Sequence, residues 1–442
     1  MKGESEVKRL RGLSFLLVFG LFIGLMAACS DNDSSSNEPS SDNDGDKNKD
    51  VELRIVAANH PWTEAIEPFI PQFEKETGIK VKLEKYFEDQ LTQKLTTEFT
   101  AGSDSIDVFM IRPLQEGKLF NLNGWVADLS GYTGDSEWDL SDFTESSVNS
   151  LKDGNKIFGI PTVTEREILY YRKDIFEENK IEPPKTLDEL YEIAKKLNDP
   201  SNDFYGMVSR GQRAAAVTQF SSYLYGFGGD FIVDGKAAID TPEAIKAFEF
   251  YGNLLKEAGP PGVLNMSWPQ AAGLFAQGKA AMYTDADSIY PNLLDPEKSV
   301  VGEKVGFSVF PEGPSGQTPY NVTSWGVAMN EKSEHKDAGW EFIKWATSKE
   351  IVAELQKKSV PGPRQSVWDS PEGTEAFPEE LVQVISESNK IGKEYDRPLV
   401  IKVNEARDMI GTAIVTGIEG GDVEAAAKEA NKQFQQLLDD EK

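Results

Sequence analysis

From Val51 onward the apolar positions follow two rhythms. Val51, Leu53 and Ile55 alternate with polar residues, the period of a strand. Ile66, Phe69, Ile70 and Phe73 then recur at helical spacing, and Gly78 supplies a helix stop. Ile79, Val81 and Leu83 alternate again, and Leu91, Leu95 and Phe99 mark a second helix ending near Gly102. Residues 108–111 form a continuous apolar run, the pattern of a strand buried on both faces. This β-α-β-α-β order predicts an α/β chain with a mainly parallel sheet and right-handed crossovers. Further on, Thr186 and Glu189 form a capping box opening a helix to about Leu197. Pro242 after Thr241 opens another, to about Gly259. Residues 271–277 read as a short helix stopped by Gly278, with a strand from Met282 and Tyr283. Residues 305–310 and 325–329 read as strands, 336–347 and 350–358 as helices, and the chain beyond about Pro378 as entirely helical. No tandem repeat is present.

The first fifty residues have a different pattern. Lys2, Lys8, Arg9 and Arg11 precede an apolar run over 13–28, the layout of a signal peptide. The run ends in Leu25-Met26-Ala27-Ala28-Cys29, which resembles a bacterial lipobox, with Met26 where leucine is usual. The resemblance implies that Cys29 is lipidated and becomes the mature N-terminus. Residues 30–50 carry no apolar side chain except Pro39, too little to offset ordering entropy, so 29–50 is expected to be a disordered tether. A lipid and a polar leash would hold a folded body at the outer face of a cell membrane, as in a single-membrane host.

Composition narrows the function. The 442 residues suggest more than one folded unit. Forty-six Lys+Arg against 74 Asp+Glu leave a charge of −28, which argues against nucleic acid. One cysteine and two histidines leave little for disulfides, zinc or Fe–S chemistry, and no metal or cofactor is expected. Residues 273–279 fit a phosphate-loop pattern, but Ala280 stands where Ser or Thr is needed, and the segment closes a helix instead of opening one. Ser333 to Lys336 matches S-x-x-K without the companion motifs of penicillin-binding enzymes.

Several stretches together carry a family likeness: FEKETGIKV at 73–81, DVFM at 107–110, EREILYYRKDIF at 165–176, LFAQGKAAM at 274–282, AGWEFIKWATS at 338–348 and VPGPR at 360–364. In this order the chain resembles the extracellular solute-binding proteins of bacterial ABC importers, of the sugar- and polyol-binding type. The resemblance implies a two-lobed, type II periplasmic-binding-protein-like α/β fold. Each lobe would hold a mainly parallel sheet flanked by helices, with a helical C-terminal region. It further implies an N-terminal lobe of 51–163 with 325–360 and a C-terminal lobe of 164–324 with 361–442. Crossovers are expected near 162–165, 322–325 and 360–364. A carbohydrate or polyol would be held in the cleft by hinge closure and passed to the permease subunits.

Sugars are gripped by aromatic faces and by polar groups that bond hydroxyls in pairs. At expected strand ends and crossovers the candidates are His60, Trp62, Asp89, Arg112, Glu165, Arg210, Gln212, Trp268, Tyr283, Asp285, Trp325 and Arg364. Trp340, Phe342 and Trp345 recur at helical spacing and read as core. The ligand is expected to be uncharged and the protein a monomer without catalysis. The competing reading is a surface-anchored enzyme acting on polysaccharide through paired carboxylates. No G-x-S-x-G, H-E-x-x-H or Cys–His constellation supports it.

Overall fold

The computed structural model describes residues 51–442; the leader, Cys29 and the tether lie outside them. Eight strands build the main sheet: β1 (Glu52–Ala58), β2 (Lys80–Tyr86), β3 (Val108–Ile111), β4 (Ile160–Arg172), β5 (Tyr205–Val208), β6 (Ala280–Ala286), β7 (Val305–Val309) and β8 (Asn321–Met329). Their order is β2-β1-β3-β8-β4-β6-β5, with β7 also paired to β4. The pairs β1–β2, β1–β3 and β5–β6 are parallel, as helical crossovers require. The pairs that join the two halves are antiparallel: β8 with β3 and with β4, and β4 with β6 and β7.

The fold is two-lobed because its apolar side chains collect into separate cores. One core draws on residues from Leu53 to Val163 and from Trp325 to Val360. Trp340 and Phe342 are buried in it, and Trp345 packs against it. The others draw on residues from Ile168 to Phe310 and from Phe377 to Leu437. β4 serves both sides. Its residues 160–166 pair with β8, and 167–172 are flanked by β6 and β7. β8 carries irregularities on either side of Trp325, where it passes the first core.

The local signals act as expected at several points. Gly78 caps its helix at φ 76°. Thr186 and Glu189 form the reciprocal capping box. The helix Trp268–Ala276 ends before β6 begins at Ala280, so the loop containing Gly278 and Lys279 does not open a helix. One expectation fails. The chain beyond Pro378 is not continuously helical: between the helices Glu379–Ser388 and Val403–Glu419 lies an irregular stretch. There Lys393 exchanges backbone hydrogen bonds with Pro319 and Asn321 at 2.8 and 2.7 Å. Gly392 lies so close to Asn321 that a Cβ would come within 2.3 Å of its side chain. Pro398 further bars a helix.

Candidate functional site

The parallel strands end on a common cavity of about 390 Å³. This is the expected location, beyond the carboxyl ends of strands in an open α/β sheet. His60 follows β1, Arg112 follows β3, Arg210 follows β5 and Ser288 follows β6, and all four line it. β8 contributes Trp325, and β4 contributes Glu165 at the point where it passes from one core to the other.

On the first-core side, His60 caps the helix Pro61–Ile66, its Nδ1 accepting from the Trp62 amide at 3.1 Å. The neutral ring therefore carries its proton on Nε2. Desolvation lowers the imidazole to about 4, so it is neutral at physiological pH. Its ring lies 5.5 Å from that of Trp325. The Arg112 guanidinium sits 5.5 Å from the Trp325 ring and is paired with Glu88 at 3.0 Å and Glu116 at 3.2 Å.

On the other side, Asp285 organises the wall from beneath. It is fully buried and accepts from Arg210 Nε at 2.9 Å and Nη2 at 2.5 Å. Tyr283 and Gln219 also donate to it, at 2.8 and 3.0 Å. Burial opposes the Arg210 charge, but Asp285 outweighs this and raises the guanidinium pKa. Gln219 also donates to the hydroxyl of Tyr320, which lines the cleft. Glu165 accepts from Ser288 at 2.6 Å. Burial, with the nearby Asp287 charge, lifts its carboxyl to about 7. Trp268, at the start of its helix, is 38% exposed and lines the same space.

His60, Arg112, Glu165, Arg210, Trp268 and Trp325 thus come together from distant parts of the sequence. The remaining candidates stand elsewhere. Trp62 faces the first core, as expected of a side chain whose helix must bury an apolar stripe. Gln212 is exposed and caps the helix Arg213–Gly226 through its backbone, outside the cavity lining. Tyr283 and Asp285 lie behind the wall and position Arg210 instead of facing the space. Arg364 is fully buried, bonded to Asp142 and to the carbonyls of Trp138, Asp139 and Thr347. Asp89 lies in the helix Glu88–Thr100, and its side chain is outside what the structure describes.

Sequence reasoning missed a group on the irregular stretch and the helix after it: Asp396, Arg397 and Arg407. Gln115, from the turn after β3, reaches them across the cleft. Its Oε1 accepts from Arg397 at 2.7 Å and Arg407 at 3.4 Å, and its Nε2 donates to Asn404 at 2.6 Å. Gly392 and Pro398 were the available signals that this stretch leaves the helix.

The family model of the bacterial extracellular solute-binding proteins matches residues 59–353, and the chain belongs to that family. Its members are binding proteins of ABC importers. Among the curated relatives, the erythritol/L-threitol-binding protein of Mycolicibacterium smegmatis is 28% identical over 341 residues, 72% of this chain and 71% of that one. The mannitol-binding protein of Pseudomonas aeruginosa is 29% identical over 297 residues, 65% of each chain. Among solved structures, a solute-binding protein of Agrobacterium radiobacter K84 in complex with ribitol superposes with a TM-score of 0.79 at 30% identity, covering 88% of this chain and 99% of that one. One from Agrobacterium vitis S4 with bound D-mannitol gives 0.77 at 25% identity, covering 88% and 98%.

Proposed function

We propose that this protein captures a small polyhydroxylated molecule, a polyol or a sugar, in the cleft and delivers it to the membrane subunits of an ABC importer. The observation that carries the reading is the pairing of aromatic surfaces with fixed bidentate groups around one cavity. Trp268 offers a partly exposed face for C–H groups and the buried Trp325 lines the same space, while Arg210, Arg112, His60 Nε2 and the Glu165–Ser288 pair offer donors and acceptors for hydroxyls. Asp285 holds the Arg210 plane in place before any ligand arrives, which reduces the ordering cost of binding. Relatives that bind erythritol, mannitol and ribitol support the same class.

Closure is assigned to the lobes 51–163 with 325–360 and 164–324 with 361–442, hinging on β4 and β8, with a third crossover near Val360 and Pro361. The separate cores support this division. Lipidation at Cys29 would keep a monomer at the outer face of the membrane, and the polar stretch after it supports that role. Capture without catalysis is the expected activity.

A thermal-shift screen of the purified protein against alditols and sugars tests the reading. A ligand at a hundredfold excess over Kd stabilises by about 2.7 kcal/mol. Mass spectrometry should recover that ligand unchanged. Silence across the whole carbohydrate set, or turnover of one member, overturns the proposal.

A further inference from the structure

Seven charged side chains line the cleft, and arginine outnumbers carboxylate. The lining residues are Arg112, Arg210, Arg397 and Arg407 with Glu88, Glu165 and Asp396, and Glu116 and Asp285 stand behind the wall. Three of the arginines have an acid within ion-pair distance: Glu88 and Glu116 for Arg112, Asp285 for Arg210 and Asp396 for Arg397. Arg407 has none among the described residues.

The surroundings of Arg407 are specific. Its three hydrogen bonds all go to neutral oxygens: Ala214 O at 3.0 Å, Thr218 Oγ1 at 3.2 Å and Gln115 Oε1 at 3.4 Å. A guanidinium has five N–H groups, so donor capacity remains. Arg397 bonds two of the same oxygens, Gln115 Oε1 at 2.7 Å and Thr218 Oγ1 at 3.4 Å. Two guanidiniums that share two acceptors lie side by side, and among the described residues Asp396 is the one acid within ion-pair distance of either. Burial, followed by the charges of Arg397 and other arginines, pushes Arg407 well below its ordinary pKa. The same cleft contains Glu165, whose carboxyl is held at about 7 and so adds less than a full negative charge at neutral pH.

The geometry points to an anion subsite formed by Arg397 and Arg407, so that the ligand is a polyhydroxylated monocarboxylic acid, of aldonate type, whose carboxylate lies on this pair. The inference rests on the function proposed above and replaces its neutral ligand with the acid of the same carbon skeleton. Two arginines less one aspartate leave a single positive charge, which matches a monoanion better than a phosphate dianion. Carboxylate oxygens are received by guanidinium edges in pairs, and Gln115 Oε1 marks the point on which both edges converge.

Calorimetric titration of the full protein with erythritol, ribitol and mannitol, each against the aldonate of the same chain length and against ribitol 5-phosphate, tests this. One aldonate should bind at least about tenfold more tightly than its alditol, the scale of a charge-assisted pair, and more tightly than the phosphate ester. Arg407→Gln should collapse that ratio. Gln115→Glu places a carboxylate between the two arginines without removing either. It gives up the hydrogen bond to Asn404, so the readout is affinity: aldonate binding should fall, which keeps the test decisive if Arg407→Gln does not fold. An alditol bound as tightly as its aldonate, or a tighter phosphate ester, overturns the inference and leaves the carbohydrate reading standing. Binding of none of these overturns both. An unchanged ratio in Arg407→Gln, or an unchanged aldonate affinity in Gln115→Glu, overturns the assignment to this pair.

Discussion

Arg364 and Arg210 each pair with an aspartate, yet they serve different purposes. Around Arg364 the donors are taken up by protein: Thr347 O, Trp138 O, Asp139 O and Asp142. The guanidinium also lies 4.1 Å from the Phe143 ring. Arg210 gives Nε and Nη2 to Asp285 and lines a cavity. The first region is a closed knot that ties the segment after Pro363 to the first core. The second is a knot with one side open to the cleft. The lesson is one of donor accounting: an arginine whose hydrogen-bonding capacity is filled by the protein is structural, and one held rigidly with capacity left over is available to a ligand.

The largest test of that contrast is Arg364→Ala. It leaves Asp142 half-satisfied in the interior and should cost about 3–5 kcal/mol in urea denaturation. Ligand affinity of the folded protein should be unaffected; a large affinity loss without a stability loss breaks the comparison. Arg210→Gln should do the opposite in emphasis, weakening binding by about 2–5 kcal/mol in calorimetric titration. Native-like affinity in that variant removes Arg210 from the site. Trp268→Ala comes next, with binding weaker by about 0.5–1.5 kcal/mol and little change in Tm, since the ring is already partly in water.

The smallest effect is a pH slope. Glu165 is held at about 7 against an ordinary 4.5, so the folded state favours the protonated acid. Its stabilising contribution is complete below 4.5 and is lost as pH rises to about 7. His60, at about 4 against 6.5, has the opposite sign: its contribution is present above 6.5 and is lost as pH falls towards 4. In the wild type these slopes oppose one another. Glu165→Gln removes one of them, so its Tm relative to wild type should climb between pH 4.5 and 7. A flat difference would place Glu165 in water.

These contrasts show what the sequence could and could not disclose. Strand and helix positions were legible because periodicity reports burial directly: Leu53 and Ile55 are core, and the Thr186–Glu189 capping box forms. Six of the cleft residues were legible because strand ends and crossovers point to the cavity. Orientation was not. Arg364 lies beside the expected crossover, yet nothing local distinguishes a side chain turned to the seam from one turned to the cleft. Asp396, Arg397 and Arg407 were hidden for another reason. Asp396 and Arg397 lie in a stretch that apolar spacing assigns to a helix but that leaves it where Gly392 packs on Asn321, more than seventy residues earlier, and Arg407 sits on the helix that follows.

β4 has a consequence for how the molecule comes apart. Its thirteen residues are buried almost throughout, and each core claims a part of the same strand. Neither lobe can melt without stripping the other of a central strand. Heat should therefore bring the folded body apart in one cooperative transition, with a single calorimetric peak. A ligand in the cleft would slow amide exchange in both lobes together, however few of their residues it touches.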